Sequence, residues 1–310
     1  MIPCPEELAH VTFKIERSNI STVGSAFKSG GFKRLLKGNE WTAYWGRVRS
    51  YKVLDHYQKV NHFPGTFQLG RKDCCARNIA RLRRRVGAAM APPFPRCYHL
   101  PADRAELEAD MDPPKAGGGR VAGKSAAAAP GSRLFIVKPN ASSRGRGIRL
   151  ISHKHEIPKG KMLVQKYIAN PFLVEGFKMD IRVYVVATSF DPLRLYMHDD
   201  GLVRFATEKY NVPGAKGVSK VAHHKQKMAH ITNYSIQKKQ SKFVENTDVN
   251  APSSGSKWSF KAFRAYLREV LGVDDAKVWA SIKDTCVRTI LCAEAKVPRL
   301  PPPCPHRSPQ

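Results

Sequence analysis

Residues 177–196, FKMDIRVYVVATSFDPLRLY, alternate charged and apolar side chains before reaching an Asp-Pro step. Successive side chains of an extended strand point to opposite faces, so Lys178, Asp180 and Arg182 share one face and Met179 and Ile181 the other. Three charges on one strand face mark the wall of a polar cleft more readily than a solvated surface. Residues 179–190 and 193–198 then read as an antiparallel hairpin closed at Asp191-Pro192.

Outward from this stretch, LFIVKP at 134–139 is a short buried strand stopped by proline, with further strands at 148–152 and 162–168. A helix with its basic face outward is expected from Lys72 to about Arg85, and amphipathic helices over 257–271 and 274–292. The class is α/β (α+β). Residues 1–40 carry little periodicity and read as an N-terminal extension, with 41–108 as a small aromatic-rich lobe. The Pro/Gly/Ala-rich stretch 109–132 reads as a flexible insertion, and 298–310 as a Pro-rich tail that cannot pack regularly.

The chain has 310 residues, and 42% are hydrophobic, which is ordinary for a globular fold. No apolar run approaches the roughly 20 residues that cross a bilayer, and the N-terminus lacks the pattern of a signal peptide. The expectation is therefore a soluble intracellular protein without membrane contact. Seven cysteines without zinc-ligand spacing read as reduced thiols, so no metal site is built from them. Lys plus Arg number 53 against 25 Asp plus Glu, a formal charge of +28, which calls for an acidic partner, either protein or nucleic acid.

Gly118–Ser125 match the P-loop pattern letter for letter, but Asp112-Pro113-Pro114 precedes them and an alanine run follows. A working P-loop leaves a buried strand and opens a helix, so this match is set aside. Lys138 is a better candidate. It ends a strand, and SSRGRGI at 142–148 supplies a glycine-bearing loop able to cover phosphates, although an ordinary basic turn would look the same. MLVQKYI at 162–168 reads as an edge strand whose backbone could meet an adenine ring, or as plain core. Arg204 sits within the apolar strand DGLVRFAT, and Thr232, Asn233, Tyr234 and Ser235 gather hydrogen-bonding groups, each with a structural alternative such as a salt bridge or a helix cap.

In order, NHFPGTFQLGRKD, IVKP with SSRGRGI, LVQKYI, FKMDIRVYVVATSFDPLRLY, DGLVRFATEKY and HITNYS resemble the tubulin-tyrosine-ligase-like family in its polyglutamylase branch, from about Trp41 to Val297. The resemblance implies an ATP-grasp fold over 133–297 and ATP-dependent ligation of free L-glutamate to glutamate side chains of acidic tubulin tails or other acidic proteins. It implies that Lys138 and Lys178 contact phosphates under a loop carrying Arg144, that Gln165, Lys166, Tyr167 and Ile168 hold adenine, and that Asp180 holds the ribose side. Arg204 would bind glutamate, assisted by Tyr234, Ser235 and Lys257, and Thr232 and Asn233 would face the nucleotide. Arg204 and Lys178 would be the catalytic pair, in the cytoplasm at microtubules, cilia or basal bodies.

The family pattern continues with an Asp-bearing strand and a Trp-x-x-Glu-x-Asn segment that helps hold Mg²⁺. After Val297 this sequence instead reads PRLPPPCPHRSPQ. The expectation is a fold incomplete at its C-terminal end, with an incomplete magnesium site. Two alternatives follow: an inactive, basic microtubule-binding module, and, ranked last, a nucleic-acid-binding protein suggested by charge and RGRG at 144–147.

Overall fold

A computed structural model describes residues 11–16, 21–47, 54–55, 57–112, 134–142, 145–211, 227–245 and 255–297. The P-loop match, most of the expected insertion, Arg144 and the 298–310 tail lie outside the described residues. The chain forms two compact units, residues 1–68 with 295–310, and residues 69–294.

In the first unit, β1 (Thr12–Ile15), β2 (Lys33–Arg34), β3 (Ala43–Trp45) and β4 (Lys59–Val60) form one parallel sheet in the order β2-β1-β3-β4. Helix α1 (Ser21–Ser29) stacks Phe27 on the fully buried Phe13 at 4.8 Å. The boundary expected at residue 41 is corrected here. Phe13 pairs with Ala43 and Ile15 with Trp45, so strands from both sides of residue 41 share one sheet.

A short helix α2 (Phe67–Gly70) precedes the second unit's α3 (Lys72–Val86). Its first turn buries Asp73 between Arg71 and Arg77, at 3.1 and 3.0 Å. The basic face expected to point outward is not wholly solvated, because Arg83 donates to the carbonyls of Pro92 and Phe94. Strand β5 (Cys97–His99) leads to α4 (Arg104–Met111), whose end overlaps the expected insertion. Asp110 accepts a 2.6 Å bond from the Tyr98 hydroxyl and Met111 is buried, so 109–111 are anchored core.

Strands β6 (Phe135–Pro139), β7 (Arg149–Ile151) and β8 (Met162–Lys166) join β5 in an antiparallel sheet ordered β5-β8-β6-β7. Tyr98, Leu107, Phe135, Val137, Ile151 and Val164 form its core. The edge-strand reading of 162–168 is corrected, since β8 lies between β5 and β6. Its backbone groups are already used: the N–H of Lys166 donates to Arg96 and that of Tyr167 to Leu134. A strand flanked on both sides has few backbone groups left for a ligand.

The second antiparallel sheet is ordered β14-β13-β10-β9, from β9 (Leu173–Val174), β10 (Phe177–Arg182), β13 (Leu202–Lys209) and β14 (Lys257–Ser259). Between β10 and β13, β11 (Val185–Phe190) and β12 (Leu193–Met197) form the hairpin expected at Asp191-Pro192. The chain changes sheets after Arg182, so 179–190 is two strands rather than one. Short helices α5 (Lys227–His230) and α6 (Tyr234–Gln237) follow, then α7 (Phe260–Glu269) and α8 (Asp275–Glu294). Lys257 lies on a strand, not in the helix expected from 257. The Ser259 hydroxyl accepts from the N–H of Ala262 and starts the helix there. Trp258, Phe260, Phe263, Leu267 and Trp279 pack with Val203, Phe205, Met179 and Ile181 beneath this sheet.

Gly201 fits a space that a methyl group cannot enter. A Cβ there would meet the Phe260 ring at 2.3 Å and the Arg182 carbonyl at 2.4 Å. Gly201→Ala is expected to cost about 1–3 kcal/mol through overpacking, read as a lower urea midpoint at unchanged slope.

Candidate active site

Beneath β10, Met179 and Ile181 enter the core, which turns Lys178 and Asp180 to the other face. That face meets the end of β6 and the 230–233 segment around a cavity of about 450 Å³. Lys72, Lys138, Lys178, Gln165, Thr232 and Asn233 supply its polar wall, and Phe94, Ile136, Ile148 and Leu163 part of its apolar wall. Among the described residues no carboxylate lines it. Three lysines around an unbalanced concavity suit a polyanion, while the apolar wall suits a flat ring.

Lys138 donates to Gln165 Oε1 at 2.6 Å, across neighbouring strands β6 and β8. Lys178 donates to the Tyr167 hydroxyl at 2.8 Å and to the carbonyl of His230 at 3.1 Å, and sits 4.5 Å from the Tyr167 ring centre. Tyr167 in turn bonds His230 Nδ1 at 3.1 Å. Burial, followed by the nearby charge of Lys138, pushes the Lys178 ammonium down to about 8, partly offset by Asp180. Burial also lowers Lys138, aided by Lys72. Desolvation disfavours the charged form of both, a cost that an entering anion would remove.

A pH effect follows. Above about pH 8 the empty pocket holds Lys178 largely neutral, and an anion of ATP charge would restore its proton. Calorimetry of polyphosphate binding in buffers of different ionisation enthalpy is expected to show proton uptake above pH 8 that fades well below it. In the empty chain Lys178 by itself contributes stability that grows as pH rises from about 8 toward 10.5, because the unfolded chain then binds its proton more strongly, while the raised Cys97 and Tyr98 act in the opposite sense above about pH 9.

One strand step beyond Lys178, Asp180, Arg204 and Lys257 lie side by side on β10, β13 and β14. Arg204 grips Asp180 through two bonds, Nε to Oδ1 at 2.7 Å and a second from its terminal nitrogen. The Lys257 ammonium lies 4.4 Å from the Tyr234 ring centre, where α6 begins with Tyr234 and Ser235. Arg182, on the same strand face, is exposed and stands over Tyr184.

The structure therefore gathers Lys138, Gln165, Lys178, Thr232 and Asn233 at one cavity, with Asp180, Arg204, Lys257 and Tyr234 on adjoining elements. Lys166 and Ile168 are exposed, and Tyr167 stands behind Lys178 rather than on the wall. Sequence reasoning missed Lys72, which opens α3 and bonds the Ser142 carbonyl of the SSRGRGI loop. It also missed Gln237, fully buried, which accepts from the backbone and hydroxyl of Thr207 and donates to the carbonyls of Met228 and Ile231. That single amide ties the 228–231 segment to β13, and nothing in its local sequence announces it. Gly145, at φ +73°, packs so close to Asn233 that an added Cβ would meet Oδ1 at 2.9 Å.

Among the described residues no group of three or more His, Cys, Asp or Glu could hold a metal ion, and Asp180 is engaged by Arg204. The described residues thus form no self-sufficient magnesium cage, whereas a metal ion carried by a polyphosphate needs only one or two carboxylates.

Fold and cavity define an α+β protein with a cationic pocket between two antiparallel sheets. The pattern of the tubulin-tyrosine ligase family matches residues 51–308, and the chain belongs to that family. The match runs past Val297, where the resemblance read from the sequence ends. The mouse (Mus musculus) tubulin monoglutamylase TTLL4 is 38% identical over 273 residues, 87% of this chain and 21% of that protein. The human (Homo sapiens) tubulin polyglutamylase TTLL5 is 34% identical over 301 residues, 94% of this chain and 21% of that protein. The zebrafish (Danio rerio) tubulin polyglutamylase ttll6 is 34% identical over 277 residues, 88% of this chain and 32% of that protein. The chain thus spans about a fifth to a third of the length of these relatives.

Proposed function

We propose that this chain carries an ATP-grasp-type site that joins free L-glutamate to glutamate side chains of acidic tubulin tails, using ATP. The observation that carries the reading is the convergence of Lys138 and Lys178, both half-buried and held below their ordinary pKa, on a cavity with no carboxylate among its described lining residues. Lys138, Lys178 and Lys72 neutralise the polyphosphate, with Arg144 in the covering loop. The base rests against the apolar wall near Gln165 to Ile168, and Thr232 and Asn233 face the nucleotide.

In the first step an acceptor carboxylate attacks the γ-phosphorus, giving an acyl phosphate and ADP. In the second, the amine of glutamate attacks the acyl carbon, phosphate leaves, and an isopeptide bond forms. Such chemistry needs orientation and charge neutralisation more than a side-chain nucleophile. Arg204 takes the glutamate carboxylate in exchange for Asp180, which is released toward the ribose; Lys257, Tyr234 and Ser235 flank that exchange. The formal charge of +28 draws in acidic tails, in cytoplasm and at microtubules, with attraction that weakens in salt.

A second reading is kept because the described carboxylates form no magnesium cage of their own. In it the chain is an inactive, basic module that occupies microtubule tails. Labelled-glutamate incorporation into microtubules by the purified chain with Mg-ATP separates the two. Transfer that disappears in Arg204→Ala is the expected result. A folded chain that binds ATP and microtubules yet transfers nothing overturns the ligase reading in favour of the module.

A further inference from the structure

Helix α5 ends on a residue that reaches Lys178 by two routes. His230 is 3% exposed, and its carbonyl accepts from the Lys178 ammonium at 3.1 Å. Its ring reaches the same ammonium through Tyr167. Nδ1 lies 3.1 Å from the Tyr167 hydroxyl oxygen, which accepts from Lys178 at 2.8 Å. The imidazole also stands T-shaped against both Tyr167 and Tyr210, with ring centres 5.8 and 5.2 Å away.

Donor chemistry fixes the direction of this chain. An ammonium can only donate, so the Tyr167 oxygen receives from Lys178 and the Tyr167 proton must point elsewhere. The Tyr210 hydroxyl does not donate into the chain, because it gives its proton to the Ala169 carbonyl at 2.7 Å. Burial raises Tyr167 well above the ordinary phenol value, so it keeps a proton to give. That proton is directed to His230 Nδ1, which leaves the single proton of a neutral imidazole on Nε2.

We propose that His230 is a positioning residue for Lys178: neutral and protonated on Nε2, it takes the Tyr167 hydroxyl proton, turns the Tyr167 oxygen into an acceptor, and so holds the ammonium at the cavity wall. The same segment borders the cavity through Thr232 and Asn233, so the piece of chain that places the lysine also meets its ligand. Only the identity of that ligand rests on the proposed function.

A bond accepted from the ammonium favours its charged form, so losing it lowers the pKa of Lys178 further. The titratable groups facing Lys178 are Tyr167 and Tyr210, which follow β8 and β13, His230 on α5, Lys138 on β6 and Asp180 on its own strand. Lys72 and Cys75 of α3 line the same cavity. Substitutions at Tyr167 and His230 leave the lysines and Asp180 in place, so a change in the Lys178 titration reports the chain through Tyr167.

The test needs no ligand at first. Nitrogen NMR of the histidine rings in the full chain is expected to show His230 protonated on Nε2, with its signal assigned by its loss in His230→Asn. Carbon NMR of lysine labelled at Cε follows the Lys178 titration, assigned by Lys178→Met. Tyr167→Phe and His230→Phe are each expected to lower its midpoint by about 0.5–1 pH unit, the double variant by no more than either, and His230→Asn to restore most of it through its amide oxygen. ATP affinity should then fall about three- to tenfold at about pH 9, much less at about pH 6, and not at all in a Lys178→Met background. A proton on Nδ1 overturns the proposal, as do additive shifts in the double variant. Losses of affinity that persist in full with Lys178→Met reduce His230 to a packing role and overturn it too. A chain with the expected tautomer and shifts that binds no ATP upholds the positioning and counts instead against the nucleotide reading.

Discussion

Lys178→Met is expected to lower ATP affinity by about ten- to a hundredfold while leaving the fold as stable as the parent or more so. The two directions have one cause. The half-buried Lys178 ammonium sits among Tyr167, Tyr210 and the His230 carbonyl, and its charged form is disfavoured there. Removing the charge relieves that penalty in the empty chain. On the proposed reading it also removes a charge-assisted bond to phosphate, worth about 1.5–3 kcal/mol, which corresponds to the stated loss of affinity. ATP titration and urea denaturation on the same preparation check it. Affinity within a factor of about two of the parent would show that the polyphosphate does not reach Lys178.

Arg204→Ala should behave in the opposite way at the nucleotide. Arg204 lies beside the cavity without lining it, on the rung shared by Asp180 and Lys257. ATP binding is expected to stay within about twofold, and glutamate transfer to fall by about a hundred- to a thousandfold, the scale seen when a preorganised charge is removed from a transition state. Arg204→Lys keeps the charge but loses the two-pronged grip on a carboxylate, so it should rescue little. Single-turnover transfer with ATP saturating is the measurement, and full rescue by lysine would reduce Arg204 to a point charge. Removing Arg204 also leaves Asp180 without the partner that grips it, so Asp180→Asn with Arg204→Ala completes the cycle that separates the effect of a freed Asp180 from lost glutamate binding.

Much of this site is legible along the chain because its signals are local. The alternation through 177–182 places Lys178 and Asp180 on one face and Met179 and Ile181 on the other, and the structure keeps that division. Lys138 at a strand end and Thr232-Asn233 ahead of a short helix could also be picked out by local pattern. The helix at 257 could not be placed to the residue, because pairing of Lys257–Ser259 with Leu202–Arg204 overrode a helical pattern that begins at Phe260. Strand 162–168 was legible as a strand, but its neighbours were not, so its place within the sheet appeared only in the fold.

The sequence by itself determined strands β6 to β8, the hairpin at Asp191-Pro192 and helix α3, the polar face of 177–182, the cationic excess and the order of blocks that marks the family. Period-two alternation, caps and breakers act over a few residues and need no knowledge of the rest of the chain. Only the tertiary structure decided that Asp180 meets Arg204, that Lys138 meets Gln165, that Lys72 and Cys75 of α3 join the same cavity, and that Gln237 ties 228–231 to β13. These partners are separated by up to tens of residues, and they meet through strand register and helix packing. A one-residue slip in register would turn Arg204 away from Asp180 and into the core, so that pairing is set by the packing of Val203, Phe205 and Trp258 rather than by the charges themselves.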